Sequence, residues 1–400
     1  MLTWNFETCF LVFLAITFVS QAVATRLKSM LPMPLLLGAL CAAGFYTGLF
    51  PKDMMITANM IAVGTIAFNV LVIHSGTMID VALIRNNKRE ALVAILPAIL
   101  IIPITLLVLT PLFGRDIALL APGAAVGGGA ACAIASRWVM EKNPAISVFP
   151  WMLFMFQGLF CIPVLRYALK KESTQLLLKL RSGEIKPQNA PTKPAAAKNE
   201  TTPVSLKPVD KIPAAYKTTA YYLGTVMVVS VLNKFLLSLL PGAVTLNLNI
   251  TALLLGFVFG RIGLLDKGPL NSSDSYGLLL LGLMGLFANT IANNTLQNLL
   301  RLLPAVLVTL LVSTVVLVGG AAILARVWKL SVWRCIILAV NSMMGFPVNK
   351  ALISEASSRG ETPEEKGYLA SRFGPALGMG TMLVSNALSI LVASVLVNII

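Results

Sequence analysis

Acid is scarce in this chain. Sixteen aspartates and glutamates stand against thirty-one lysines and arginines, and only 12% of the 400 residues are charged. A soluble domain is usually about 25% charged, so a large soluble core does not explain a chain that is 57% hydrophobic. A polytopic membrane protein does. There is one histidine, His74, and no acidic pair centred in an apolar run. An intramembrane enzyme needs a Ser–His, His–Glu or paired-Asp arrangement at depth, so catalysis is disfavoured. The same lack of acids weighs against a cation/proton antiporter of inverted-repeat architecture, the alternative function considered. The five cysteines (Cys9, Cys41, Cys132, Cys161, Cys335) have neither CxxC nor metal-ligand spacing. All lie in or beside apolar runs and read as small buried hydrophobes. No basic segment precedes the first apolar run, which therefore reads as a first span rather than a cleaved signal. The net charge of +15 gathers in short loops and one central segment, not on one amphipathic face. That pattern sets membrane topology and points away from nucleic acid.

What is present is a series of apolar segments long enough to span ~30 Å of hydrocarbon. They fall at 5–24, 31–50, 56–82, 91–113 and 148–169, then at 217–240, 250–265, 272–295, 299–326 and 370–400. Several are short and need tilt or local thinning. The two sets share punctuation. Leu35-Leu-Leu-Gly38 recurs as Leu253-Leu-Leu-Gly256, and Leu96-Pro97-Ala98 as Leu303-Pro304-Ala305. Matching marks in matching order read as an internal repeat. The expected fold is an all-α polytopic membrane protein made of two inverted repeats, 1–170 and 217–400. Each has five transmembrane helices and a re-entrant or broken-helix segment. Between them, 171–216 holds six prolines and several lysines and reads as a basic linker, with a short helix over Ser173–Leu180.

The positive-inside rule places Arg26, Lys28, Arg85, Lys88, Arg89, the linker, Arg261, Lys267, Arg326, Lys329, Arg334 and the 350–372 loop in the cytoplasm. Both termini then lie outside. An odd number of spans per half makes the repeats inverted, a plan suited to alternating access.

Two stretches are left over, at 117–140 and 333–356. The first contains Gly127, Gly128 and Gly129, a poor helix interior. The second reads Asn341-Ser-Met-Met-Gly-Phe-Pro-Val-Asn-Lys350. In lipid, broken backbone survives only inside protein or beside a cavity. Two helix breaks in corresponding places of two halves point to a transporter's binding site. Half-helix N-termini aimed at one point would favour a small carboxylate. The candidate substrate-binding residues are Gly127, Gly128, Gly129, Ser136, Arg137, Asn341, Ser342, Gly345 and Asn349. The plain alternative is tight helix packing by small residues, which is also the reading given to Gly374, Gly378 and Gly380.

Polar residues within spans are informative. The span at 56–82 carries Thr65, Asn69, His74, Ser75, Thr77 and Asp80, and its partner carries Asn289, Thr290, Asn293, Asn294 and Thr295. Neutral oxygen-bearing groups suit Na⁺, with Asn69, Asn289 and Asn293 as candidate ligands and interhelical hydrogen bonding as the alternative. His74 reads as a packed, hydrogen-bonded residue and Asp80 as an interfacial acid. Thr362 with Glu365 reads as a capping pair in a solvated loop. Asn386 and Ser389 are second-rank site candidates.

The two halves, Gly127-Gly-Gly-Ala-Ala131, its counterpart Gly345-Phe-Pro-Val-Asn349 and the basic central segment together resemble the bacterial sodium/glutamate symporter family. More distantly they are similar to the sodium/citrate (2-hydroxycarboxylate) carriers. The resemblance implies an elevator-type secondary carrier in the bacterial inner membrane, with substrate contacts at the two Gly-bearing tips, Na⁺ as coupling ion, no cofactor, and a homodimeric state. The second tip lacks the paired glycines of the pattern, and Arg137 is the nearest arginine for a substrate carboxylate.

Overall fold

The computed structural model describes residues 3–28, 30–184, 208–239, 247–344 and 348–399. The chain is 84% helical, with no strand among the described residues. The long helices of the first half are α1 (Phe6–Arg26), α2 (Met33–Tyr46), α3 (Met60–Thr77), α4 (Lys88–Phe113), α5 (Arg115–Ala125), α6 (Gly129–Lys142) and α7 (Phe149–Arg181). Those of the second are α8 (Thr219–Ser238), α9 (Leu248–Ile262), α10 (Tyr276–Ala292), α11 (Leu296–Trp328), α12 (Val332–Val340), α13 (Val348–Ser357) and α14 (Pro363–Ile399).

Among the described residues, seven helices are long and apolar enough to cross a membrane: α1, α3, α4, α7, α8, α11 and α14. Three expected spans, α2, α9 and α10, have 14, 15 and 17 residues. At 1.5 Å per residue they reach only ~21–26 Å. Their ends explain this. Pro32 precedes α2, Gly263 ends α9 at φ +80°, and Gly268 turns the chain at φ +64° before α10. The expected short helix over Ser173–Leu180 is instead the end of α7, which runs unbroken to Arg181. Most of the expected linker, 185–207, lies outside the described residues.

Helix order is the same in both halves, and packing largely follows it. If α1–α7 are exchanged with α8–α14, most contacts map onto other contacts. α3 packs on α9 as α10 packs on α2; α4 packs on α11, its own counterpart, and α3 likewise on α10. α5 packs on α14 as α12 packs on α7, and α2 on α7 as α9 on α14. Pro97 and Pro304 lie inside the corresponding helices α4 and α11.

The helices form two packing groups. One holds α1–α3 and α8–α10, knit by close glycine contacts: a Cβ on Gly64 would meet Gly282 O at 2.5 Å, and one on Gly256 would meet Ile73 O at 2.1 Å. The other holds α4–α7 and α11–α14. The groups meet along α2 and α7, α9 and α14, and where α3 and α10 touch α6 and α3 touches α14.

Every ion pair among the described residues joins segments that the charge argument placed on the basic side. They include Arg166–Glu355 (3.0 Å), Arg181–Glu365 (2.8 Å), Lys217–Asp266 (2.8 Å), Lys267–Asp80 (2.6 Å) and Arg334–Glu90 (2.9 Å). Thr362 caps α14 through the Glu365 N–H (3.2 Å), as its spacing predicts. The loop is not simply solvated, however, because Glu365 is buried beneath Arg181.

Candidate functional site

Both leftover stretches are helix breaks. α5 ends at Ala125 and α6 begins at Gly129, with Gly128 as an N-cap that offers no side-chain hydrogen bond. α12 ends at Val340, a 3₁₀ turn covers Asn341–Met343, and α13 starts at Val348. Gly345 lies outside the described residues.

α14 brings the two breaks together. It turns π-helical over Thr381–Leu388, a rare form that is frequent at functional sites. Thr381 sits on the second break: its hydroxyl donates to Met344 O (3.0 Å) and accepts from Asn341 Nδ2 (3.1 Å) and Asn349 Nδ2 (2.8 Å). Asn341 Nδ2 also donates to Leu377 O (2.6 Å). Four residues on, Ser385 Oγ lies 3.6 Å from where a Cβ of Gly128 would be, and Ser389 Cβ lies 3.0 Å from that of Gly127. The breaks are thus about one helical turn apart along one helix.

The chemistry of the two breaks differs. At the first, Gly128, Gly129 and Ala130 are partly exposed between fully buried neighbours. A Cβ on Gly129 would stand 3.6 Å from Leu283, with Phe154 and Trp151 at 3.9 Å. The opening therefore fronts the uncapped N-terminus of α6, whose first N–H groups have no intrahelical acceptor. At the second, Asn341 and Ser342 are fully buried, and Asn341 Oδ1, Ser342 Oγ and Asn349 Oδ1 lack hydrogen-bond partners. A buried polar oxygen without a partner is unusual and calls for a reason. One break presents donors, the other acceptors.

The ends of each stretch also lie together. At the start of the second, Ser331 Oγ donates to Glu172 and Trp333 packs edge-on against Tyr167, while at its end Glu355 pairs with Arg166. All three contacts fall on α7 within six residues, ~9 Å of helix. In the first stretch, α5 and α6 both pack on Ser389–Leu396 and on the final turn of α14.

Other expected site residues are placed elsewhere. Ser136 is buried and Arg137 exposed on α6, seven and eight residues beyond Gly129. That is ~10–12 Å along a straight helix, so neither joins the glycines. The Asn69, Asn289 and Asn293 set does not assemble. α3 and α10 cross antiparallel, with Gly64 on Gly282 and Met60 on Gly285. Asn69 and Asn289 consequently lie on opposite sides of the crossing, ~18 Å apart along the axes. Asn69 instead lines a small pocket with Ser230, Asn233, Lys234 and Asn249, where the lysine opposes a cation. Asn293 is exposed and donates to Asn289 O (2.9 Å). Thr65, Ser75, Thr290 and Asn294 each donate to a carbonyl of their own helix. His74 is buried, its Nδ1 accepting from Leu270 N–H (3.4 Å), and Thr77 accepts from Gly268 N–H (3.2 Å). These bonds tie α3 to the loop before α10.

Of Gly374, Gly378 and Gly380 on α14, only Gly380 is tightly packed, with Leu338 O 2.6 Å from a built Cβ; Gly374 and Gly378 front open space. Thr381 and Ser385 were not singled out from sequence. Their signal was available, since Thr381, Ser385 and Ser389 recur every fourth residue within an apolar span.

Among the described residues the regular structure is all helix, and seven helices are long and apolar enough to cross a membrane. No family model and no curated protein matches it.

Proposed function

We propose that the protein is a secondary active transporter that moves a small organic anion together with Na⁺. The substrate class is an amino acid such as glutamate, or a di- or tricarboxylate. One observation carries the reading: two helix breaks from corresponding places in the two halves abut one helix a turn apart. The first offers free backbone N–H groups beside an opening, which suits a carboxylate. The second offers unpartnered neutral oxygens, which suit a hard, weakly held cation. The coupling ion is therefore assigned to Asn341, Ser342 and Asn349 beside Thr381, rather than to Asn69, Asn289 and Asn293.

Both stretches are read as re-entrant hairpins, because the two arms of each pack against one stretch of the same long helix. The contact pattern that survives exchange of the halves supports an inverted repeat, with five spans per half once the hairpins are set aside. The two packing groups support an elevator mechanism. The group bearing both hairpins slides against α2, α3, α9 and α10, carrying the site across a fixed frame.

The test is uptake into proteoliposomes of radiolabelled glutamate, aspartate, succinate and citrate, with and without an inward Na⁺ gradient. Uptake of at least one that collapses without the gradient is expected. Absence of Na⁺-dependent flux for all of them overturns the proposal.

A further inference from the structure

A second cavity lies away from the helix breaks, at the basic end of the group that bears them. It measures about 320 Å³ and is lined by Glu90, Glu172, Gln175, Leu176, Lys179, Ser331, Arg334 and Arg372. That is the lower end of the range for small-molecule sites. Its walls come from α4, α7, α12 and α14.

The charges lining it are only partly cancelled. Arg334 and Glu90 form a bidentate pair at 2.9 and 3.1 Å. Lys179 lies 3.3 Å from Glu184, both of them exposed. Glu172 is 96% buried, yet among the described residues it accepts only from the Ser331 hydroxyl and makes no ion pair. Arg372 bonds only Tyr368 Oη, at 3.4 Å, and stacks over that ring; it makes no ion pair with any described carboxylate. One carboxylate and one guanidinium thus border the same cavity without countercharges. A simple anion would suit Arg372 but be repelled by Glu172, and a simple cation the reverse. A ligand bearing both charges satisfies both.

We propose that this cavity binds a zwitterionic α-amino acid, its ammonium on Glu172 and its carboxylate on Arg372, with Gln175 and Ser331 as neutral partners. The binding itself does not depend on the transport reading. Its consequence does. α12 leads from Arg334 to Asn341, and α14 leads from Arg372 to Thr381. A ligand bridging α7 and α14 beside Ser331 clamps the base of the second helix break, so occupancy slows transport.

The experiment is calorimetric titration of the full-length protein in Na⁺-free potassium buffer, where a Na⁺-coupled site is not loaded. The probes are L-alanine, L-serine and L-glutamine, compared with acetate and methylammonium. Saturable binding is expected for at least one amino acid, with acetate and methylammonium weaker by roughly tenfold or more. Glu172→Gln and Arg372→Gln should each weaken binding by a similar factor, and Arg372→Lys should retain part of it. Variants are compared only when monodisperse. The proposal fails if no amino acid binds the folded wild type, if acetate binds as well, or if both neutral variants bind normally. Failure of Na⁺-driven uptake with binding intact would overturn the transport reading alone.

Discussion

The three consecutive glycines can be told apart by adding one methyl group to each. At Gly127 a Cβ would lie 2.5 Å from Gly123 O, 2.6 Å from Ala131 Cβ and 3.0 Å from Ser389 Cβ. Backbone must move, and overpacking of this kind costs about 1–3 kcal/mol. At Gly128 the nearest atom is Ser385 Oγ at 3.6 Å, and at Gly129 it is Leu283 Cδ1 at 3.6 Å. Both are ordinary contacts. Gly128 has φ −81°, open to any residue, and Gly129 is helical. At Gly129, inside the helix, alanine is neutral or stabilising by up to about 1 kcal/mol, because it is the better helix former; at Gly128, the N-cap, alanine is the poorer cap by about 0.5 kcal/mol. Its methyl group nevertheless occupies the space through which an anion reaches the α6 N–H groups. Losing one charge-assisted hydrogen bond is worth about 1.5–3 kcal/mol, roughly a 10- to 150-fold fall in apparent affinity. Gly127→Ala is therefore expected to lower the thermal unfolding midpoint. Gly129→Ala should keep it and Gly128→Ala lower it only slightly, both while losing uptake. If both of the latter transport like wild type, close backbone approach is not why these glycines are there. If Gly127→Ala unfolds like wild type, the packing argument is wrong.

Thr381→Val removes one donated and two accepted hydrogen bonds at constant shape. At about 1 kcal/mol each, the second break should loosen by ~2–3 kcal/mol, read as faster hydrogen exchange at Asn341–Met344 and lost Na⁺ dependence of uptake, whereas Thr381→Ser retains both. Gly380→Ala should destabilise against Leu338 O while Gly378→Ala, facing open space, leaves the unfolding midpoint unchanged. The hydrogen bond from Lys267, and next that from Leu83 N–H, hold the Asp80 carboxyl below its usual value of 3.8. The pair therefore stabilises the fold above about pH 4 and that contribution is lost as pH falls through the depressed value. Because both side chains are partly exposed, the effect is a few tenths of a kcal/mol. Asp80→Asn, which keeps the cap on Leu83, should lower stability slightly at pH 7, with the difference shrinking as the pH falls below the usual carboxylate value and through the depressed one.

The breaks themselves were legible, because Gly127–Gly129 cannot be a good helix interior and proline at 347 punctuates the matching place. Helix order was legible too, from Leu-Leu-Leu-Gly and Leu-Pro-Ala marks that fall in corresponding helices. What sequence did not disclose was which helices cross, and in which sense. Asn69 and Asn289 look equivalent in one dimension, but the Gly64–Gly282 crossing is antiparallel and sends them to opposite ends. Arg137 follows the glycines closely in sequence, yet a helix starting at Gly129 carries it ~12 Å away. Asn349 was found, but its partner Thr381 is 32 residues distant, and nothing local links them.

The near-invariance of helix packing when the halves change places bears on energy as well as geometry. A conformer in which each half takes up its counterpart's arrangement would preserve most helix neighbours within each packing group and change some of those between the groups. Backbone contributions to the two forms then nearly cancel, leaving a gap set by side-chain differences. A gap of a few kcal/mol is small enough for a bound ion or solute to reverse. Two halves with the same helix order would thus give one polypeptide two destinations, with neither needing its own set of folding instructions.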